Sequence, residues 1–343
     1  MSSLEHDTER MREALALAEM GWGLTTPNPM VGAILEKNGE VIGRGYHHAA
    51  GEAHAEINAI RDALNSKIDP AGSTLYVTLE PCSTYGRTPP CTEAILQAKI
   101  ARVVVALTDP NPKHAGRGIE ILRNSGVEVT TGILAAECGQ LNAAFFKSIT
   151  TGLPFVMLKL ATTLDGKIAT ANGDSKYVTG VEARRRVQKL RRLSDAILVG
   201  AETARCDRPQ LTVREPENWP RQPLRLIASC SMDEDELNEL FPDGNAEIVD
   251  VSSKEKWENL LQELTKRNVM TLFIEGGGEV AASAIAAGIV DYVEFHIAPK
   301  ILGGRDSRPA IGGDSPALMA DAVKLENVQH FSLGDDLIVT GYL

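Results

Sequence analysis

The sequence predicts an α/β protein of two domains, the first a sheet with helices on both faces. Three observations lead there. Strand-like and helix-like stretches alternate along the chain. The length of 343 residues is large for one domain and comfortable for two. A short polar stretch, Ser148 to Phe155, is interrupted by Gly152 and Pro154 and separates two strand-rich halves. The expected division is 1–147, a linker at 148–154, and 155–343.

In the first half, Thr8 to Met20 carries Met11, Leu15 and Ala18 at helical spacing. MVGAILEKNGEVIGRGY reads as two strands about an Asn-Gly turn, the chemistry of a tight hairpin. Ala53 to Leu64 reads as a helix. Leu75 to Leu79 and Arg102 to Leu107 read as strands around a helix near Thr92 to Ala98. A short helix, a strand in GVEVTTG and a helix over Ala135 to Ser148 follow. In the second half the expected strands are FVMLKLA, DAILVG, LRLIAS, AEIVDV, VMTLFIEG, YVEFHIAP and LIVTGYL. The expected helices are Val181 to Leu193, Lys254 to Arg267 and Glu279 to Ala287. No internal repeat relates the halves.

Composition narrows the class. No apolar run approaches the ~20 residues that span a bilayer. The N-terminus, MSSLEHDTERMREAL, lacks an apolar signal core, so a cytoplasmic location is the expectation. Five cysteines, an odd number, argue against a disulfide framework. A net charge of −11 disfavours the nucleic-acid backbone as a partner and favours a small substrate.

The chemistry concentrates in His54-Ala55-Glu56 and in PCSTYGRTPPC, Pro81 to Cys91. One imidazole and two thiols, His54, Cys82 and Cys91, are the ligand set of a catalytic Zn2+ whose fourth position is left for water. A carboxylate two residues after the histidine, with Pro-Cys downstream, is the signature of zinc deaminases, in which the glutamate shuttles protons. Glu56 is that residue here. His54 begins a helix and Cys91 lies just before another, where a helix N-terminus stabilises a thiolate. Cys82 and Cys91 are nine apart, whereas the common nucleobase signature is PCxxC. The competing reading is a closed structural site with Glu80, His47 or His48 as fourth ligand, a spacing that fits no common structural zinc pattern.

Two further stretches stand out. Gly276-Gly277-Gly278, between a strand and a helix, matches GxGxxA with Ala281 last. Backbone amides there can meet a phosphate at a helix N-terminus. It lies late in its domain, not in a first βα turn, and a simple tight turn explains it as well. RRRVQKLRR, Arg184 to Arg192, is a helix whose charges mostly form a solvated face, with Arg184, Gln188 and Arg191 on one side.

With those residues in view, the chain resembles the RibD family of bifunctional pyrimidine deaminase/reductases of riboflavin biosynthesis over nearly its whole length. TTPNPMVG, GRGYHH, HAEINAI, PCSTYGRTPPC and TDPNP match the family's deaminase half. KLATTLDGKIA, SKYVTG, DAILVG, DRPQLTVR and IEGGG match its reductase half. The long gap between the cysteines is the family's own spacing. The resemblance implies an N-terminal cytidine-deaminase-like three-layer α/β/α domain and a C-terminal dihydrofolate-reductase-like α/β domain. It implies zinc-dependent deamination of 2,5-diamino-6-(5-phosphoribosylamino)pyrimidin-4-one, then reduction of the ribosyl group to ribityl by NADPH.

Residue roles follow from the same resemblance. Asn28, His47, Asp109 and Asn111 are implied pyrimidine contacts, and Arg87 an implied phosphate contact. Turn formation is the competing reading of Asn28 and Asp109. Ser175, Arg191, Leu211, Arg214 and Glu275 are implied reductase substrate contacts. Ala161, Tyr177, Thr203, Asp207, Ser229, Gly277 and Gly278 are implied NADPH contacts. The chain departs from the family at Thr84, where histidine is usual, at Tyr177, where tryptophan is usual, and at Arg208, where a second acid often stands. The resemblance also implies a homo-oligomer, dimer or tetramer, through the reductase domains, with no nucleic acid or membrane partner. The alternative is a zinc deaminase whose second domain binds ligand without catalysis.

Overall fold

The computed structural model describes residues 3–85, 89–112 and 114–343. The chain forms two compact units, Met1–Gly152 and Leu153–Leu343. The first unit runs α1 (Ser3–Ala18), β1 (Gly32–Lys37), β2 (Glu40–Tyr46), α2 (Ala55–Asn65), β3 (Thr74–Val77), α3 (Cys91–Gln97), β4 (Arg102–Val105), α4 (Arg117–Asn124), β5 (Glu128–Thr131), α5 (Ala135–Leu141) and α6 (Ala143–Thr151). Its sheet has the order β2-β1-β3-β4-β5. The hairpin forms as its Asn-Gly turn predicts, with Asn38 and Gly39 both at positive φ.

Three layers follow from the alternation of side chains. Leu35, Val77 and Val105 face α2, α3 and α4, whereas Ile34, Tyr76 and Val104 face α1 and Cys138 of α5. Strand β2 carries glycine where α2 crosses it. A Cβ at Gly43 or Gly45 would lie 2.2 Å from Ala59 O or 2.3 Å from Ala55 O. This close approach sets the N-terminus of α2, where His54 and Glu56 sit.

Two expectations change. The single helix over Ala135 to Ser148 is broken at Asn142, which is drawn out of helical geometry (φ −107°, ψ 20°). Its buried side chain accepts from Met30 N and donates to Met30 O, both at 2.8 Å. The second helix then runs to Thr151, through the first four residues of the expected linker. Thr150 and Thr151 bond back to the Phe146 and Lys147 carbonyls, and Gly152 at φ 73° ends the helix.

The second unit runs β6 (Phe155–Thr163), β7 (Lys167–Ala169), α7 (Val181–Leu193), β8 (Ala196–Gly200), α8 (Ala201–Asp207), β9 (Leu224–Ala228), α9 (Glu234–Leu240), β10 (Ala246–Val249), α10 (Lys254–Lys266), β11 (Thr271–Ile274), α11 (Gly278–Ala287), β12 (Tyr292–Ala298), β13 (Arg308–Pro309), β14 (Glu326–Leu333) and β15 (Asp336–Tyr342). Its main sheet has the order β10-β9-β8-β11-β6-β12-β15-β14. The strands from β10 to β12 are parallel, and β15 and β14 add antiparallel at one edge. Val156, Leu158, Leu198, Leu272 and Val293 pack against α10 and α11 around Trp257. The opposite face meets α7, and there β6 and β12 place the charged residues Lys159 and Glu294 side by side. Strand β14, ENVQHFSL, carries little apolar alternation and is exposed along almost its whole length, so sequence pattern could not mark it. No described helix is long and apolar enough to cross a membrane.

Candidate active sites

His54, Cys82 and Cys91 come together in the first unit, their donor atoms all within 4.8 Å of one another. His54 is the residue before the first turn of α2, and Cys91 is the first residue of α3 itself, one position inside the helix. His54 Nδ1 lies 3.2 Å from Cys91 Sγ and 3.5 Å from Cys82 Sγ. Tetrahedral Zn–N and Zn–S bonds of about 2.0 and 2.3 Å require donor separations of about 3.5–3.8 Å, so the trio fits zinc with little adjustment. The Cys91 amide also donates to Cys82 Sγ at 3.2 Å.

The electrostatics suit a metal. Hydrogen bonds from Cys91 and His54 bring the Cys82 thiol down to about 4. The same bond to Cys82, with burial and the nearby Glu56, pushes the Cys91 thiol up. His54 is raised, first by its bond to Cys82. Glu56 is 3% exposed, and burial together with the Cys82 charge pushes its carboxyl up to about 7.

The candidate fourth ligands of a closed site are engaged elsewhere. Both Glu80 oxygens accept backbone amides. His47 meets Ala53 O through Nδ1 and Asn28 Nδ2 through Nε2, both at 3.1 Å. His48 lies 3.6 Å from Glu52. Among the described residues, no fourth protein donor joins the trio. That leaves a coordination position open, the arrangement of catalytic and not structural zinc.

Asn28 and His47 form one bonded pair, and the His47 ring stands edge-on to His54 with centroids 5.5 Å apart. Asp109 Oδ1 accepts the Asn111 amide at 2.8 Å, so the turn reading is correct for its backbone. Burial raises the Asp109 carboxyl, and the Cys82 charge contributes. Arg87 lies outside the described residues.

In the second unit a cleft of about 520 Å³ opens at the C-terminal ends of β6, β8 and β11, within the range of small-ligand sites. Ala161, Tyr177, Thr203, Asp207, Gly277 and Gly278 line it, as do Ser175, Arg191, Leu211 and Glu275. Arg214 and Ser229 lie off its wall. Arg214 N donates to Gln188 Oε1 at 2.8 Å, and Ser229 Oγ caps a turn by accepting Ser231 N and Met232 N. The glycines fit a phosphate cradle. Gly276 and Gly277 have φ of 107° and 87°, and a Cβ at Gly277 would lie 3.3 Å from Thr203 Oγ1. Helix α11 starts directly after them, and its first amides have no partner within the helix.

Several candidates bond one another. Ser175 Oγ donates to Asp207 Oδ1 at 2.7 Å. Arg191 forks onto both oxygens of Glu275 and donates to Thr212 O at 3.0 Å. Arg184 stacks 4.4 Å over the Tyr177 ring. Sequence reading missed Lys159, which lines the cleft and whose ammonium is disfavoured by burial, with Glu275 and Glu294 opposing that effect. A lysine in the otherwise apolar run FVMLKLA was the available signal. It also missed Glu294, 1% exposed and bonded to Arg186 and His296.

Comparison with known proteins addresses both units. A family model for the cytidine and deoxycytidylate deaminase zinc-binding region matches residues 4–107, and one for the RibD C-terminal domain matches residues 154–339. The riboflavin biosynthesis protein RibD of Actinobacillus pleuropneumoniae is 40% identical over 359 residues, covering 97% of this chain and 94% of that protein. RibD of Escherichia coli K12 is 37% identical over 366 residues, covering 94% and 96%. The structure of Acinetobacter baumannii RibD, form 1, matches with a TM-score of 0.85 at 35% identity, covering 99% of each chain. The diaminohydroxyphosphoribosylaminopyrimidine deaminase/5-amino-6-(5-phosphoribosylamino)uracil reductase of Thermotoga maritima matches with a TM-score of 0.85 at 33% identity, again covering 99% of each.

Proposed function

The chain belongs to the RibD family of riboflavin biosynthesis proteins, and from that premise we propose how its residues divide two successive reactions on one phosphorylated pyrimidine. It is a bifunctional enzyme, with a zinc-dependent deaminase unit and an NADPH-dependent reductase unit. The first reaction hydrolyses the 2-amino group of 2,5-diamino-6-(5-phosphoribosylamino)pyrimidin-4-one to give the aminouracil and ammonia. The second reduces its ribosyl group to ribityl.

In the deaminase unit His54, Cys82 and Cys91 hold the metal. The chemistry zinc supplies in such a ligand set is Lewis acidity toward water. Glu56 takes a proton at its carboxylate and returns it to the departing amine. Burial raises the Glu56 carboxyl, the direction that lets one group both take and return a proton. Asn28, His47, Asp109 and Asn111 contact the pyrimidine, and Arg87 the phosphate.

In the reductase unit Ser175, Arg191, Leu211 and Glu275, which line the cleft, bind substrate. Ala161, Tyr177, Thr203, Asp207, Gly277 and Gly278 bind cofactor, whose chemistry is hydride donation. Arg191 is preoriented by Glu275, and Tyr177 offers an aromatic face in place of the more usual tryptophan. A homo-oligomer through the reductase units fits the exposed Val328, Phe331 and Leu337 on the edge hairpin β14–β15.

The observation that carries the reading is the three-donor group with Glu56 beside it and no fourth donor among the described residues. The test supplies the diaminopyrimidine phosphate with and without NADPH and identifies products by mass. The ribosyl aminouracil is expected without NADPH and the ribityl product with it. Absence of ammonia release overturns the deaminase reading. Ribosyl product persisting with NADPH leaves only a binding role for the second unit.

A further inference from the structure

Glu80 is 6% exposed, three residues beyond the end of β3 and two before the metal donor Cys82. A buried carboxylate is costly unless its oxygens are well partnered. Here four backbone amides of one downstream segment partner them. Oε2 accepts Asp109 N at 3.0 Å and Gly116 N at 2.9 Å. Oε1 accepts Gly118 N at 2.8 Å and Ile119 N at 3.3 Å. That segment carries Asp109 and Asn111 and leads into α4.

Two further contacts seat the segment beside the metal. The Glu80 amide donates to Leu107 O at 2.8 Å, which ties together the segments that follow β3 and β4. A Cβ at Gly118 would lie 2.2 Å from Pro81 O, so the segment rests directly on the peptide before Cys82. The tetrapeptide Leu79-Glu80-Pro81-Cys82 therefore holds a metal donor with its last residue and the 109–119 segment with its second.

We propose that Glu80 is a positioning residue of the deaminase site, its carboxylate holding Asp109 and residues 116–119 in the conformation that receives the pyrimidine. This role rests on the deaminase reading of the first unit. It separates two tasks within one strand end. The metal donors and Glu56 carry the chemistry, and Glu80 acts on substrate affinity through the loop.

Glu80→Gln is the informative change. The amide keeps the shape but has one acceptor oxygen and one NH2, so whichever way it turns, two backbone N–H groups face a donor. In the full-length zinc enzyme, KM for the diaminopyrimidine should rise about tenfold or more. The kcat, the content of about one zinc per chain and NADPH oxidation with the deaminated intermediate should stay near wild type. Amide exchange should accelerate at Asp109, Gly116, Gly118 and Ile119, while β3 and β4 stay protected. In combination with Asp109→Ala the KM effects should be less than multiplicative, because both act through one loop. If Glu80→Gln does not fold, Gly118→Ala presses the same loop off Pro81 and should show the same KM-weighted pattern. An unchanged KM, a fall in kcat at constant KM, or lost zinc overturns the proposal. If wild type releases no ammonia, the deaminase reading fails. Unchanged exchange at the four amides shows, separately, that Glu80 does not hold the loop.

Discussion

Replacing Glu294 by glutamine tests the buried charge row behind the reductase cleft. Its carboxylate is 1% exposed, accepts Arg186 Nε at 3.1 Å and Nη2 at 3.0 Å, and lies 2.7 Å from His296 Nε2. Burial alone would raise its carboxyl, but the bonds from His296 and Arg186 and the Arg186 charge bring it down to about 2, against an ordinary 4.5. At about 1.4 kcal/mol per pH unit, that difference corresponds to about 3 kcal/mol of folding stability. The cost of an orphaned charge has a similar size. Removing one partner of a buried ion pair costs about 3–5 kcal/mol, because the other charge is left uncompensated. The Arg186 side chain is 25% exposed, which places the expectation at the lower end, about 3 kcal/mol. The sign with pH follows from a folded-state pKa below the unfolded one. The stabilisation is complete above about 4.5 and is lost as pH falls through about 2. Urea unfolding of the full chain, followed by tryptophan fluorescence, measures it, since Trp219 and Trp257 both lie in the second unit. Wild type and Glu294→Gln should differ by about 3 kcal/mol at pH 7 and converge toward pH 2. A gap below about 1 kcal/mol at pH 7, or one that stays constant with pH, would refute the reasoning.

Three other outcomes are expected. Chelation of zinc should abolish ammonia release and leave NADPH oxidation with the deaminated intermediate intact, and restored zinc should restore release; release that survives metal depletion refutes the metal assignment. Glu56→Gln should lower the deaminase kcat by about 10²–10⁴ while zinc content and reductase rate hold, and undiminished release would remove the proton-shuttle role. Gly277→Ala introduces a side chain at φ 87° with its Cβ 3.3 Å from Thr203 Oγ1. It should cost about 1–3 kcal/mol of stability and raise KM for NADPH more than KM for substrate; an unchanged KM for NADPH takes the glycine turn out of the cofactor site.

The proposed zinc donors, Glu56 and the two-unit α/β plan are legible in the amino-acid sequence for one physical reason. Each rests on local information: residue identity, short spacing, and periods of 2 and 3.6 that fix which way neighbouring side chains point. Helix α7 is therefore recoverable from end to end, and His54 and Glu56 can be placed at the start of a helix. Even a local reading has limits where a distant group competes. The helix after Ala135 breaks because Asn142 bonds the Met30 backbone 112 residues away. The same limit hides the supporting charges. Glu80 finds its amides 29 to 39 residues downstream, and Arg186 meets Glu294 across 108 residues. That Arg191 is already forked onto Glu275, and that Lys159 faces the cleft beside Glu294, depends on which strands pair and in what register. Sequence alone determined which residues can do the chemistry, because donor atoms and local backbone geometry are properties of the residues themselves. Only the tertiary structure decided which charges hold them in place, because a buried carboxylate takes its partners from whatever the folded chain brings within hydrogen-bond reach.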